Sequence, residues 1–231
     1  MILRTLSQPD YRLLRPVMEP ISLKRGAVLG AVHEPLDYAY FPTEAVISLV
    51  GTTAEGLGVE IGMVGREGYL GLPILFGKPI HIYQSLVQHS GAAWQVPGPV
   101  LRNALHASHS LREQLLRYTS VRFVQLAQTA VCHRFHSLEQ RLCRWLLSIH
   151  DRVRSDEIRL THESLAQLIG GRRPTINTIT NGLKKTGALH YRRGSMAILN
   201  RTVLQRRSCE CYNIIAQEIR ELESSRPSSS P

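Results

Sequence analysis

The sequence predicts an α+β fold with an N-terminal antiparallel β jelly roll or barrel, a long helix and a C-terminal winged helix-turn-helix. Three observations predict it: short apolar runs separated by turn residues, a long stretch of helical spacing, and two helix patterns joined by a Gly-Gly turn. The chain has 231 residues, enough for two modest domains, because one hydrophobic core usually holds about 100 to 150 residues.

The β-region extends from Ile21 to Val96 and contains six short apolar or alternating runs. These runs are residues 27–30, 38–42, 46–50, 59–64, 85–88 and 93–96. Several strands at this spacing are typical of an antiparallel barrel or jelly roll, so we expect residues 1–107 to form one β-domain. A Rossmann-type nucleotide site is excluded, because the sequence contains no Gly-x-Gly-x-x-Gly.

Residues 108–132 have the spacing of one long helix, within a helix-and-hinge segment that we place at residues 108–136. At about 1.5 Å per residue this helix spans about 40 Å, which is long for a helix that serves one small core. Its apolar residues form two stripes, one with Leu116, Phe123, Leu126 and Ala130 and the other with Leu111, Leu115 and Tyr118. We predict that the first, the dimer stripe, packs against a second copy and that the other stripe packs on the β-domain. A single buried helix in a monomer is the alternative.

Basic charge is concentrated in the C-terminal half of the chain. The formal net charge is +10, and residues 159–207 contain ten Lys or Arg and one acidic residue, Glu163. Such clustering is expected of a surface that neutralises phosphates and releases counterions. We therefore expect double-stranded DNA as a partner. A basic surface that serves only solubility is the alternative.

Residues 160–189 have the pattern of a helix, a tight turn and a second helix, within a domain that we place at residues 137–215. Thr161 is positioned to cap the first helix. Gly170 and Gly171 supply the turn, and Pro174 fits the first turn of the second helix, where a backbone N–H is not needed. The apolar faces contain Leu165, Leu168 and Ile169 in the first helix and Ile176, Ile179 and Leu183 in the second. An earlier helix in the same domain is predicted to begin after Ser137.

The second helix of this pair is predicted to read DNA bases. Its outward positions near the N-terminal end are Arg173, Pro174, Asn177, Thr178 and Asn181. Arginine can pair with guanine and asparagine with adenine, while threonine and proline can contact a thymine methyl. Contacts to the DNA backbone are assigned to Thr161, Arg172, Lys184, Lys185, Arg192 and Arg193. The last two belong to a predicted basic hairpin wing around Gly194 and Ser195.

These features together resemble the Crp/Fnr superfamily of bacterial transcription regulators over nearly the whole chain. The helix-turn-helix is the strongest match, and the β-region, the long helix and residues 139–147 match more weakly. The resemblance implies a cyclic-nucleotide-binding-like sensor domain at residues 1–107, a homodimer on a palindromic operator, and RNA polymerase as a further partner. Family members often have Glu at the position of Pro174 and Arg at that of Thr178, so a different operator is expected.

The sensor region departs from the family at the residues that bind cyclic nucleotides. The matching stretch places Gly71, Leu72, Gln84 and Ser85 at the possible effector pocket, where cyclic-nucleotide binders have Glu for Leu72 and Arg for Gln84. Without that cation the phosphate is an uncompensated anion, so we expect no cyclic-nucleotide response and leave the effector unknown. The first 131 residues contain no Cys, which excludes the N-terminal iron–sulfur cluster of other members.

The cysteines are predicted to be reduced thiols that bind no metal or other cofactor. They are Cys132, Cys143, Cys209 and Cys211, too few for the disulfide density of a small secreted domain. Cys132 and His136 share a helix face, but His133 lies elsewhere and no fourth ligand is evident. A redox pair of Cys209 and Cys211 is disfavoured, since thiols two residues apart close a strained ring.

The remaining predictions concern the class of the protein. No apolar run approaches the roughly 20 residues of a membrane-spanning helix and the start does not resemble a secretory signal, so we expect a cytoplasmic protein without membrane contact. No paired carboxylates, activated nucleophile or phosphate loop indicates an enzyme. A sequence-independent, nucleoid-type DNA-binding module with a vestigial sensor is the alternative function. Residues 216–231 are predicted to be a tail with a disordered end.

Overall fold

A computed structural model of the chain describes residues 2–4, 6–153, 155–192 and 194–224. The first part contains α1 (Gln8–Leu14), β1 (Glu19–Leu23), β2 (Val28–Gly30), β3 (Tyr38–Pro42), β4 (Val46–Thr52), β5 (Gly58–Val64), α2 (Leu72–Leu75), β6 (Gln84–His89), β7 (Gly91–Pro97) and α3 (Gly98–Ala107), with short 3-10 helices at Ile2–Arg4 and Arg15–Val17. The second part contains α4 (His109–Phe135), α5 (Leu138–His150), β8 (Glu157–Arg159), α6 (His162–Ile169), α7 (Arg173–Lys185), β9 (Leu189–Arg192), β10 (Ser195–Ile198), α8 (Arg201–Arg207) and α9 (Cys211–Ser224). The predicted α+β class is confirmed.

The N-terminal strands form two antiparallel sheets, with strand orders β1-β7-β3 and β2-β6-β4-β5. All six predicted runs are strands; four are longer than predicted by one to three residues, β3 has the predicted bounds and β2 is one residue shorter. The sequence did not indicate β1, because its inward-facing residues are only Ile21, which is partly buried, and Leu23, too short an alternation to mark a strand. Apolar residues from both sheets pack together between them, among them Leu23, Ile47, Val64 and Ala93.

Strand β4 is buried on both faces, and this position determines how the two halves of the chain meet. Ile47 and Leu49 point into the core between the sheets. Val46 and Val50 point the other way and pack in the core that contains Trp145 and the apolar faces of the C-terminal helices. The C-terminal half is therefore docked on the outer face of the second sheet.

Helix α4 is slightly longer than predicted and is seated on the β-domain by one of its two stripes. Ser108 caps it by accepting a hydrogen bond from the backbone N–H of Leu111 at 3.1 Å. Leu111, Leu115 and Tyr118 are buried in the core formed with the first sheet and α3, as predicted. A Cβ at position 68 would lie 2.0 Å from the Tyr118 ring, so only glycine permits this close approach.

The dimer stripe lies on the solvent side of α4. Leu116 is 44% exposed and Phe123 is 64% exposed. Ala130 is also exposed, and Leu126 is partly buried. Among the residues that the structure describes, none fully covers this apolar face of the 27-residue helix.

Helix α9 runs through the boundary predicted at residue 215. Ile219 and Leu222 pack against the N-terminal core, and α9 as a whole packs along α4. The sequence predicted a tail from residue 216, but residues 216–224 belong to α9 because of this long-range packing. The predicted disordered end, residues 225–231, lies outside the described residues.

Two buried acidic residues lie where the β-domain meets the C-terminal half of the chain. Glu67 pairs with Arg152, with 2.7 Å between Oε1 and Nε and both side chains 5% exposed. Glu60 accepts a hydrogen bond from the Ser48 hydroxyl at 2.5 Å and is buried. Burial raises the pKa of Glu60, and the hydrogen bond from Ser48 offsets only part of that effect.

The raised pKa gives an expected pH dependence. The folded protein keeps the Glu60 proton to higher pH than the unfolded chain, so the free energy of unfolding falls as pH rises above about 4.3, the ordinary pKa of glutamate. Replacing Glu60 with Gln removes this titration and is expected to flatten the decline and raise stability at pH 8 relative to pH 5. Urea unfolding at both pH values measures it, with Glu113→Gln on the exposed side of α4 as the control. Equal pH slopes for Glu60→Gln and wild type would contradict the assignment.

Candidate nucleic-acid interface

Helices α6 and α7 form the predicted helix-turn-helix. Thr161 caps α6, accepting a hydrogen bond from the backbone N–H of Ser164 at 3.1 Å. Gly170 ends α6 in the left-handed conformation with φ 64°, and a Cβ at Gly171 would lie 2.8 Å from Leu138. The two glycines therefore have separate roles, since Gly170 makes the turn and Gly171 allows the turn to pack on α5.

Helix α7 separates a buried apolar face from an exposed polar face. Ile176 and Leu183 are fully buried in the C-terminal core, and Ile179 is partly buried. The predicted base-reading residues Arg173, Pro174, Asn177, Thr178 and Asn181 are all exposed. The side chain of Thr178 donates a hydrogen bond to the carbonyl of Pro174 at 3.2 Å, which fixes the direction of its methyl group.

Arg173 has an acidic neighbour that the sequence analysis did not connect with it. Its Nη1 lies 3.7 Å from Oε2 of Glu163, and both side chains are largely exposed. An exposed pair of this kind contributes little to stability, so the arginine is free to exchange the carboxylate for another acceptor. The signal was present in the sequence, because Glu163 is the one acid among ten basic residues.

The winged sheet has strand order β8-β10-β9 and packs beside α7. The predicted hairpin is confirmed, with Gly194 at φ 78° in its turn, and β8 is an additional strand. The ring of His162 stacks on Tyr191 of β9, with 4.1 Å between centroids. His162 Nε2 also lies 3.1 Å from the hydroxyl of Thr180 on α7. This histidine, which the sequence analysis did not single out, holds the helix pair and the wing together.

The residues predicted to contact the DNA backbone are exposed wherever the structure describes them. Thr161, Arg172, Lys184, Lys185 and Arg192 are exposed at the described positions. Arg193 lies outside the described residues. Exposed basic residues thus lie directly before α7, at its end and on the wing, as expected where phosphates are neutralised beside a helix that contacts base edges.

The residues predicted for an effector pocket fall into two groups, Gly71 and Leu72 at the start of α2 and Gln84 and Ser85 in β6. Gly71 lies against Ala39 of β3, and Leu72 packs at the edge of the core that contains Phe41. Gln84 and Ser85 begin β6 in the other sheet, where Ser85 is fully buried. Gln84 also lines a groove between this sheet and α6, together with Arg25, Gln88 and Gln167.

The cysteines are arranged differently from the sequence-based expectation. Cys132 and His136 at the end of α4 meet Cys209 and Cys211 at the start of α9. The expectation that no fourth ligand lies near Cys132 is therefore wrong, because the second pair is supplied from 77 residues away along the chain. Cys143 is buried separately in the C-terminal core.

Comparison with known proteins agrees with this geometry. Residues 140–207 match the Crp-like helix-turn-helix domain, which spans α6, α7 and the wing. The transcriptional regulator SdrP of Thermus thermophilus is 26% identical over 196 residues, covering 80% of this chain and 91% of SdrP. The helix-turn-helix is therefore of the Crp-like type, and the chain is similar to transcription regulators of the Crp/Fnr family.

The architecture of the chain is shared with distant solved structures. FixK2 from Bradyrhizobium japonicum superposes with a TM-score of 0.71 at 15% identity, covering 84% of this chain and 98% of FixK2. A regulator of the Crp/Fnr family from Eubacterium rectale superposes with a TM-score of 0.70 at 15% identity, covering 89% and 96%. At these identities the likeness concerns the fold. In the described part of the chain, no helix has the length and apolarity needed to cross a membrane.

Proposed function

We propose that this protein is a transcription regulator of the Crp/Fnr type, a homodimer that recognises a palindromic operator through the N-terminal half of α7. One observation carries the proposal: five side chains suited to base edges, from Arg173 to Asn181, are exposed together on the face opposite Ile176 and Leu183. Short or forked polar groups at the start of a second helix are what major-groove recognition requires. The wing and the lysines at the end of α7 then serve the DNA backbone.

The dimer stripe supports the homodimer. Leu116, Phe123 and Ala130 lie seven residues apart on the exposed side of α4, the spacing that two helices need to pack side by side. Two copies related by a two-fold axis present two α7 helices, so the operator has matching half-sites.

The signal in this proposal is not a cyclic nucleotide. Leu72 is an apolar residue at the edge of a hydrophobic core, and Gln84 carries no charge to meet a phosphate. An N-terminal iron–sulfur cluster has no cysteine ligands in the first 131 residues. The β-domain therefore binds an effector of another kind or serves as a scaffold, and the protein acts on transcription with RNA polymerase in the cytoplasm, without enzymatic activity.

Replacing Arg173 with Ala tests the assignment of the reading helix. We expect a loss of about 1–3 kcal/mol in operator binding and relaxed preference at one base pair of each half-site, because a bidentate contact to guanine is removed. Lys184→Ala is the matched control, since it lies at the other end of the same helix and is expected to weaken all sequences alike.

The operator is obtained first by selection from a random DNA pool, and affinities are then measured at physiological salt for the operator and for scrambled DNA. If both variants lower affinity uniformly, α7 does not read the sequence. Equal affinity of the wild type for all DNA favours the nucleoid-type alternative.

A further inference from the structure

Three thiols and one imidazole converge where the end of α4 meets the start of α9. Cys132 lies in the last turn of α4, His136 caps that helix, Cys209 precedes α9 and Cys211 is its first residue. The four potential ligand atoms all lie within 4.8 Å of one another. The three cysteines are at most 2% exposed and form a small cluster of their own.

The distances suit one tetrahedral ion. The Sγ atoms of Cys132 and Cys209 are 3.5 Å apart, and Sγ of Cys211 is 3.6 Å from Nδ1 of His136. With Zn–S bonds of about 2.3 Å and Zn–N bonds of about 2.0 Å, a tetrahedral zinc ion separates two sulfurs by about 3.8 Å and a sulfur from a nitrogen by about 3.5 Å. A disulfide requires about 2.05 Å between sulfurs, so the two closest thiols are placed for a shared ion rather than a bond.

The surroundings of His136 are a second, independent indication. Its Nε2 lies 3.1 Å from Oε1 of Glu210, the residue between the two cysteines of the second pair. When Nε2–H donates a hydrogen bond to this carboxylate, Nδ1 is the ring nitrogen that carries the lone pair of the neutral imidazole, and it faces the thiols. Histidine ligands of zinc are characteristically oriented in this way by a hydrogen-bonded carboxylate.

The charge of the site also fits a divalent cation. Three thiolates and one zinc ion together carry a single negative charge, and the buried Arg144 places its positive charge near Cys132. Three reduced thiols with one imidazole are, moreover, among the donor sets that structural zinc sites use.

We propose that Cys132, His136, Cys209 and Cys211 bind one structural Zn²⁺ ion per chain. The ion joins the end of α4 to the start of α9, beside residues 136–137, which connect α4 to α5. It thereby fixes the helix-turn-helix relative to α4, and the proposal does not depend on which DNA sequence is read.

The test uses the full-length protein purified from zinc-supplemented cells under reducing conditions. We expect one zinc per chain by elemental mass spectrometry, and replacement by Co²⁺ to give the thiolate charge-transfer and tetrahedral d–d absorption bands. The variant Cys209→Ser is expected to lose stoichiometric zinc. Cys143→Ala, which removes a buried thiol outside the cluster, is expected to retain it.

A second variant keeps the test valid even if Cys209→Ser does not fold. Glu210→Gln leaves all four ligands in place, and we expect a zinc affinity about 10-fold to 100-fold lower, measured by competition with a chromogenic chelator. Wild-type protein without zinc, Co²⁺ uptake without thiolate bands, or a Cys132–Cys209 disulfide in the freshly purified protein would each overturn the proposal. Unchanged zinc affinity of Glu210→Gln would overturn the role given to the carboxylate.

Discussion

Replacing Phe123 with Asp is expected to convert the protein to a monomer and to abolish binding to a two-fold symmetric operator. Phe123 lies near the middle of α4, is 64% exposed in the single chain, and has Leu116 and Ala130 one heptad away on either side. In the proposed dimer the two rings are buried against each other, and burying a phenylalanine contributes about 1.5–3 kcal/mol. A carboxylate at the same place loses that contribution and is desolvated without a partner.

The stability of the monomer itself is expected to change little, because Phe123 contributes little to the core of one chain. Analytical ultracentrifugation reports the mass, and a gel-shift assay reports binding to the full operator and to one half-site. Phe76→Asp is the matched control, since Phe76 is 59% exposed but follows α2, away from the dimer stripe. An unchanged dimer mass for Phe123→Asp would place the interface elsewhere.

Replacing Arg152 with Met is expected to lower the free energy of unfolding by about 3–5 kcal/mol, because it leaves a buried carboxylate unpaired. Arg152 Nε lies 2.7 Å from Glu67, and its Nη1 donates to the carbonyl of Ser148 at 2.7 Å. Glu67 in turn accepts from the backbone N–H of Gly65 at 3.2 Å. The pair connects the loop after β5 with the end of α5, so its loss also loosens the contact between the two halves of the chain.

A surface pair provides the comparison. Arg207 and Glu139 are 2.6 Å apart but are 41% and 38% exposed, so Arg207→Met is expected to cost at most about 1 kcal/mol. The double variant Arg152→Met with Glu67→Gln removes the stranded charge and is expected to recover part of the loss. Urea unfolding of the four proteins gives the values. A loss for Arg152→Met no larger than that for Arg207→Met would show that the buried pair is not structurally required.

The sequence by itself determined the elements whose signals are local. Short apolar or alternating runs predicted six of the seven strands of the β-domain, and the Gly170-Gly171 turn between two short apolar faces predicted α6 and α7. The exposed positions of α7 followed from helical spacing alone, since fixing Ile176 and Leu183 inside leaves Arg173, Asn177 and Asn181 outside. The capping box of Ser137 and Gln140 likewise marked the start of α5.

Only the tertiary structure decided the features that join distant parts of the chain. Strand β4 buries both faces, so its run of apolar residues does not reveal that Val46 and Val50 pack on the C-terminal core. Cys132 and Cys209 are 77 positions apart, and their meeting depends on how α9 packs along α4. The sequence predicted which residues of α7 are exposed because helical period is a property of neighbouring residues. The proposed zinc ligands and the buried ion pair could be recognised only in the folded structure. Which distant residues meet depends on how whole helices and strands pack, and the spacing of residues along the chain does not encode that packing.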